Sequence, residues 1–193
     1  MTHKQNIVLV GGGGHCRSVI DVIESTGEYN IIGVVDIKQN IGQSVLGYKV
    51  IGCDDDLQDI LSICNNAVVT IGHVTTNNLR KNVYIKLKQL GFCLPVIVSP
   101  RAYVSRHSSV AQGTIVMHDA LINSNVSIGE NCIINTKALV EHDSVIENHC
   151  HISTSSVING TVRVKEDSFF GSNSVSNNNT EVNGFVKAGR VVK

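Results

Sequence analysis

A series of period six runs through the C-terminal half of this 193-residue chain and decides what that half can fold into. Val104, Val110, Val116, Ile122, Ile128, Ile134, Val140, Ile146, Ile152, Ile158, Val164, Phe170, Ser176 and Val182 share one register, and all but two are Val or Ile. Two residues before each stands a small or β-branched residue, from Ala102 and Ser108 to Ser174 and Thr180. An α-helix cannot keep period six on one face, and an uninterrupted strand would repeat every two residues. A chain that turns after each short strand satisfies the pattern. Three six-residue edges close a triangular coil, with the aliphatic residue inside and the small residue leaving room beside the corner. Successive coils then pair their backbones, as in other solenoids. The register therefore predicts a parallel β-helix over 99–193.

Residues 1–98 read differently. QNIVLV (5–10) is a continuous apolar run that stops at Gly11, Gly12, Gly13 and Gly14, and Val19, Ile20 and Ile23 follow at helical spacing. IIGVVD (31–36) and AVVTIG (67–72) are two further buried-strand runs, with helical segments expected over 54–64 and along Leu79, Val83, Leu87 and Leu90. LPVIV (94–98) is read as the last strand of this part. Strands buried on both faces need crossover helices, so a small Rossmann-like parallel α/β domain is expected here.

Equal numbers of acidic and basic residues, 16 each, exclude a broad cationic field for nucleic acid. No apolar run is long enough to span a bilayer, which takes about 20 residues, and the N-terminus lacks secretory-signal features. A cytoplasmic location is expected. The six cysteines form no C-x-x-C pair. Cys132 and Cys150 lie eighteen residues apart, one coil, and so stack inside the prism as a thiol ladder or a disulfide.

Two segments stand out as chemistry. In the first, His142 lies two residues past an inward position, at a corner, flanked by Glu141 and Asp143. Imidazole beside a carboxylate suits a general base, although a solvated surface histidine fits the same spacing. Gly160, one coil on, stacks at that corner and allows a main-chain N–H to approach a reacting carbonyl. His151 faces outward from a flat side half a coil from His142, so the two meet only between neighbouring copies of a trimer. His142, His149 and His151 supply the raw number of ligands for zinc, but at diverging angles, and no metal is expected. In the second segment, the glycine run resembles a phosphate-cradling turn, with a tight structural turn as the alternative. Cys16 breaks a G-x-G-x-x-G dinucleotide fingerprint, which argues against NAD. Asp36 ends the second strand, where a nucleotide's base or ribose would lie.

Together VGGGGHCRSVIDVIE, VVD at 34–36, TIGHVTTNNLRKN, SPRAYVS and INTKALVEHDSVIENHCHIST span nearly the whole chain. They resemble the bacterial sugar acetyltransferases that join a nucleotide-sugar-binding α/β domain to a left-handed β-helix. That family acts on UDP-4-amino sugars, GDP-perosamine and sialic acid. The resemblance implies the left-handed sense and a homotrimer. It also implies acetyl-CoA as co-substrate and N-acetylation of the 4-amino group of a nucleotide-linked sugar in surface-glycan biosynthesis. Residue by residue, it implies His142 as general base and Asp143 as its carboxylate. Gly12, Gly13, Gly14, His15, Asp36 and Asn135 would meet the substrate, and His151 and Gly160 acetyl-CoA. The tail NGFVKAGRVVK has Arg190 where the family places proline. O-acetylation of sialic acid or a related sugar, and a non-catalytic nucleotide-sugar-binding trimeric scaffold, are the competing readings.

Overall fold

The computed structural model describes residues 4–193. The chain divides into two compact units: Met1–Gly72 with Asn78–Pro95, and His73–Asn77 with Val96–Lys193.

In the first unit, β1 (Gln5–Val10) pairs in parallel with β2 (Tyr29–Val35) and with β5 (Asn66–Val69). Beyond β2 lies β4 (Tyr48–Gly52), also parallel, and then a short antiparallel edge, β3 (Ser44–Val45). Helices α1 (Gly14–Thr26), α2 (Leu57–Ile63) and α3 (Asn78–Leu90) complete the unit. Its core holds Val8, Val10, Val35, Leu57, Ala67, Val69, Val83 and Leu87. Continuous apolar runs mark these central strands because both faces are covered. The edge hairpin has no such run, and only the structure reveals it.

Two expectations for this unit are corrected. Leu79 is 65% exposed, and the buried stripe of α3 is Arg80, Val83, Tyr84 and Leu87. The strand at the end of LPVIV (94–98) leaves the α/β sheet. Ile97 and Val98 pair with Ile115 and Val116, because Val98 already stands in the six-residue register and points into the β-helix.

The second unit is a left-handed β-helix. Its first face stacks Ile97–Val98, Ile115–Val116, Ile133–Ile134, His151–Ile152, Phe169–Phe170 and Phe185–Val186. Its second stacks six strands from Tyr103–Val104 to Val191–Val192, and its third five from Ser109–Val110 to Glu181–Val182. Every inward residue of the register is the second residue of a two-residue strand, and Val116 to Val164 are at most 2% exposed. Cys132 and Cys150 are buried free thiols in this column, not a disulfide.

The corners carry a signature of their own. From Asp119 to Asn179 the residue before each small position has φ between 55° and 65°. Seven of these eleven residues are Asp or Asn, whose short polar side chains tolerate the left-handed region best. Asp143 is one of them, with φ 62°. The same corner geometry that turns the chain thus sets the backbone of the His142–Asp143 pair.

Candidate active site

The corner between the second and third faces joins His142, Asp143 and Gly160. His142 Nδ1 lies 2.7 Å from Asp143 Oδ2, and Asp143 Oδ1 accepts a 2.6 Å hydrogen bond from Asn125 Nδ2. A carboxylate accepts only, so Nδ1 carries the ring proton and Nε2 keeps its lone pair. Nε2 has no partner among the described residues, and the ring is 54% exposed. The hydrogen bond from Asn125, then that from His142, hold the Asp143 carboxyl below the usual carboxylate range. One residue back, Glu141 Oε2 accepts from Asn123 Nδ2 at 2.6 Å.

Gly160 lies against the ring. A Cβ there would stand 2.8 Å from His142 Cε1 and 2.9 Å from Nε2. The Gly160 carbonyl accepts from Asn179 N–H, and the peptide next to it delivers Thr161 N–H to the His142 carbonyl. The Gly160 N–H takes no acceptor among the described residues. Asn125 was not singled out from the sequence, yet the signal was present: it precedes Asp143 by eighteen residues, one full coil.

His151 and Asn135 are brought together away from that corner. Asn135 Nδ2 donates to His151 Nε2 at 3.0 Å, and His151 Nδ1 donates to the His73 carbonyl at 2.8 Å. Asn135 Oδ1 accepts from Thr136 N–H. His151 is 6% exposed, and its ring meets His73 and Phe169 edge-on, each at 5.1 Å between centroids. The covering segment His73–Asn77 is fixed further by Asn77 Nδ2, which donates to the His149 carbonyl and to Asp167 Oδ1. Nothing in the hexad spacing points to that segment. Among the described residues, no three His, Cys, Asp or Glu side chains gather as metal ligands.

The glycine run borders a 630 Å³ cavity in the first unit, together with His15, Asp36, Lys38, Asp54, Asp55 and Gly72. It opens at the carboxyl ends of β1, β2 and β5, where parallel α/β sheets receive ligands. The contacts at Gly11 and Gly12 are local and steric. Gly11 has φ +112°, and a side chain there would overlap Ile71, whereas a Cβ on Gly12 would stand 2.6 Å from Asp36 Oδ2. That oxygen also accepts from Asn40 Nδ2 at 2.7 Å. The first turn of α1 opens at Gly13 and Gly14 with no side-chain cap, so its N–H groups and dipole are available to an anion. Lys38, Asp54 and Asp55 were not anticipated, since no spacing links them to the glycine run.

This pairing of a cavity-bearing Rossmann-like unit with a left-handed β-helix defines the hexapeptide-repeat acyltransferase class. The family model described as the PglD N-terminal domain matches residues 6–87. PerB from Caulobacter crescentus in complex with CoA and GDP-perosamine is 31% identical, with TM-score 0.90, covering 100% of this chain and 90% of that one. A mutant of perosamine N-acetyltransferase from the same organism, with the same ligands, gives 31% and 0.91 over the same shares. The acetyltransferase domain of PglB from Neisseria gonorrhoeae FA1090, in complex with acetyl coenzyme A, gives 28% and 0.87, covering 98% and 93%. No curated protein matches the chain significantly. The chain belongs to the hexapeptide-repeat sugar acetyltransferases, the family that includes perosamine N-acetyltransferase.

Proposed function

We propose that the protein is an acetyl-CoA-dependent N-acetyltransferase acting on the 4-amino group of a nucleotide-linked sugar, in the cytoplasmic stage of surface-glycan synthesis. The observation that carries this reading is the His142–Asp143–Asn125 chain, which fixes the Nδ1–H tautomer and leaves Nε2 open. Similarity to N-acetyltransferases bound to CoA and GDP-perosamine, or to acetyl coenzyme A, supports the substrate class.

The amine attacks the thioester carbonyl while His142 Nε2 removes its proton, forming the new C–N bond. The oxyanion of the tetrahedral intermediate accepts from the Gly160 N–H. Collapse breaks the C–S bond, and the departing thiolate takes its proton from the imidazolium. Asp143 stabilises that imidazolium and stays ionised throughout.

The glycines at 12–14 with His15 receive the diphosphate of the nucleotide, and Asp36 its ribose or base. Asn135 and His151, locked to each other, form a rigid wall of the acetyl-donor and substrate pocket.

The active form is a homotrimer. Along the outside of the second face, Tyr103, Leu121, Leu139, Val157, Val175 and Val191 stack in one ladder. Tyr103 and Val191 at its ends are 59% and 60% exposed. An apolar stripe of that length on a solvent face marks an association surface, and Leu139 within it stands three residues before His142. A neighbouring copy seated there would close the site.

The test is release of CoA thiol from acetyl-CoA across UDP- and GDP-linked 4-amino sugars, with sialic acid as the O-acetylation arm. His142→Ala should lose at least about 100-fold in turnover, the scale of general-base catalysis, while still binding acetyl-CoA. Nucleotide binding without thiol release in the wild type would favour the scaffold, and turnover of sialic acid alone the O-acetyltransferase.

A further inference from the structure

The mechanism above leaves one buried charge unused. Arg80 is 1% exposed, and a guanidinium cannot shed its proton to escape burial. It sits in the first turn of α3, where the positive end of the helix dipole also disfavours a cation. A fold that keeps a cation in such a place must gain from what it holds.

Arg80 Nη1 donates to two main-chain carbonyls at the end of β5: Val69 O at 2.6 Å and Ile71 O at 2.9 Å. These belong to the segment that lines the cavity beside the glycine run. Thr70, between them, donates its hydroxyl to Gly11 O at 2.6 Å and its N–H to Val10 O. The Ile71 side chain fills the space that a side chain on Gly11 would take. The glycine turn thus rests on residues 70 and 71, and these rest on Arg80.

The peptide plane carries the consequence further. In a trans peptide, C=O and the next N–H point in opposite directions. Drawing the Ile71 carbonyl toward Arg80 sends the Gly72 N–H the other way, at a residue that borders the cavity. That N–H has no acceptor among the described residues. Arg80 therefore turns a repelling carbonyl away from an incoming anion, presents a donor in its place, and puts a fixed positive charge one peptide from the cavity wall.

We propose that Arg80 is a positioning residue for the diphosphate of the nucleotide sugar, an inference that rests on the function proposed above. It acts through the 69–72 main chain and touches neither reacting group.

The experiment compares wild type, Arg80→Gln and Arg80→Lys by calorimetric titration with UDP and GDP, and with uridine and guanosine. CoA affinity and thermal midpoint are recorded for each. For whichever base the wild type binds, Arg80→Gln should weaken the nucleoside diphosphate at least about tenfold, the scale of a hydrogen bond to a charged group. The parent nucleoside should change less than about threefold, and CoA not at all. Arg80→Lys, which keeps the charge and its donors, should recover most of the diphosphate affinity. Equal losses for diphosphate and nucleoside, or none for the diphosphate, would overturn the proposal. If Arg80→Gln does not fold, Arg80→Lys decides alone: diphosphate binding lost in step with nucleoside binding sinks the idea, and affinity within about threefold of wild type upholds it. A wild type that binds no nucleoside diphosphate would instead bring down the proposed function itself.

Discussion

Replacing Gly160 with alanine tests the placement of the His142 ring with little else disturbed. Gly160 is not among the positive-φ residues, so alanine adopts its backbone without strain, and the N–H assigned to the oxyanion is kept. The added methyl would begin 2.8 Å and 2.9 Å from two ring atoms, against ordinary carbon contacts of about 3.5–4.0 Å. The ring must therefore retreat by roughly 0.7–1 Å. Its 2.7 Å bond to Asp143 cannot stretch that far and survive, since such bonds fail beyond about 3.2 Å. Asp143 cannot follow without leaving Asn125. A misplacement of about 1 Å at the reacting group costs on the order of 100-fold in rate, or about 2.7 kcal/mol of barrier. The ring is half exposed, so stability should change by less than about 1 kcal/mol. The assay is steady-state CoA thiol release with the best nucleotide 4-amino sugar, alongside a thermal melt and titration of CoA. Turnover within about threefold of wild type would refute the reasoning.

Four further outcomes are expected. The folded Asp143 carboxyl titrates below its unfolded value, so its contribution to stability is complete above about pH 4 and fades only as the pH falls through the folded value. From pH 5 to 9 Asp143 therefore stays ionised, and its titration contributes no acid limb to kcat in that window. Asn125→Leu, which removes the larger hold on Asp143, should lower kcat about 3- to 10-fold at unchanged KM for acetyl-CoA, on the scale of one ordinary net hydrogen bond because the His142–Asp143 bond remains; an unchanged kcat would count against the chain. A disulfide-exchange reagent should titrate one thiol in the native protein, Cys93, because the other five are buried. The Cys150 thiol is pushed up by its hydrogen bond with Cys132 and by burial, so rapid reaction of more than one equivalent would contradict the packed column. Thr161 is β-branched at φ 61°, and Thr161→Asn should raise stability by roughly 0.5–1 kcal/mol, read from denaturant melts.

The β-helix was legible because its physics is periodic. One inward residue per six-residue edge is a local demand repeated along the chain, so Val104 to Val182 announce the coil, and Val98 shows that it begins earlier than composition suggests. The same arithmetic placed His142, Asp143 and Gly160 at one corner, and Asn125 was within its reach at one coil's distance. The apolar runs of β1, β2 and β5 were equally plain, since burial on both faces leaves no polar alternation. Periodicity gave no access to features that depend on a meeting of distant segments. His73–Asn77 covers His151 through single hydrogen bonds that no spacing encodes. Lys38, Asp54 and Asp55 reach the glycine run only because strands adjacent in the sheet end at the same edge. Helical spacing assigned Leu79 to the core, but the buried position belongs to Arg80, whose guanidinium is satisfied by two carbonyls at the end of β5. Amino-acid order thus determined the repeating architecture and its corner chemistry, and tertiary structure decided which polar groups found partners across it, because a hydrogen bond depends on where two segments meet.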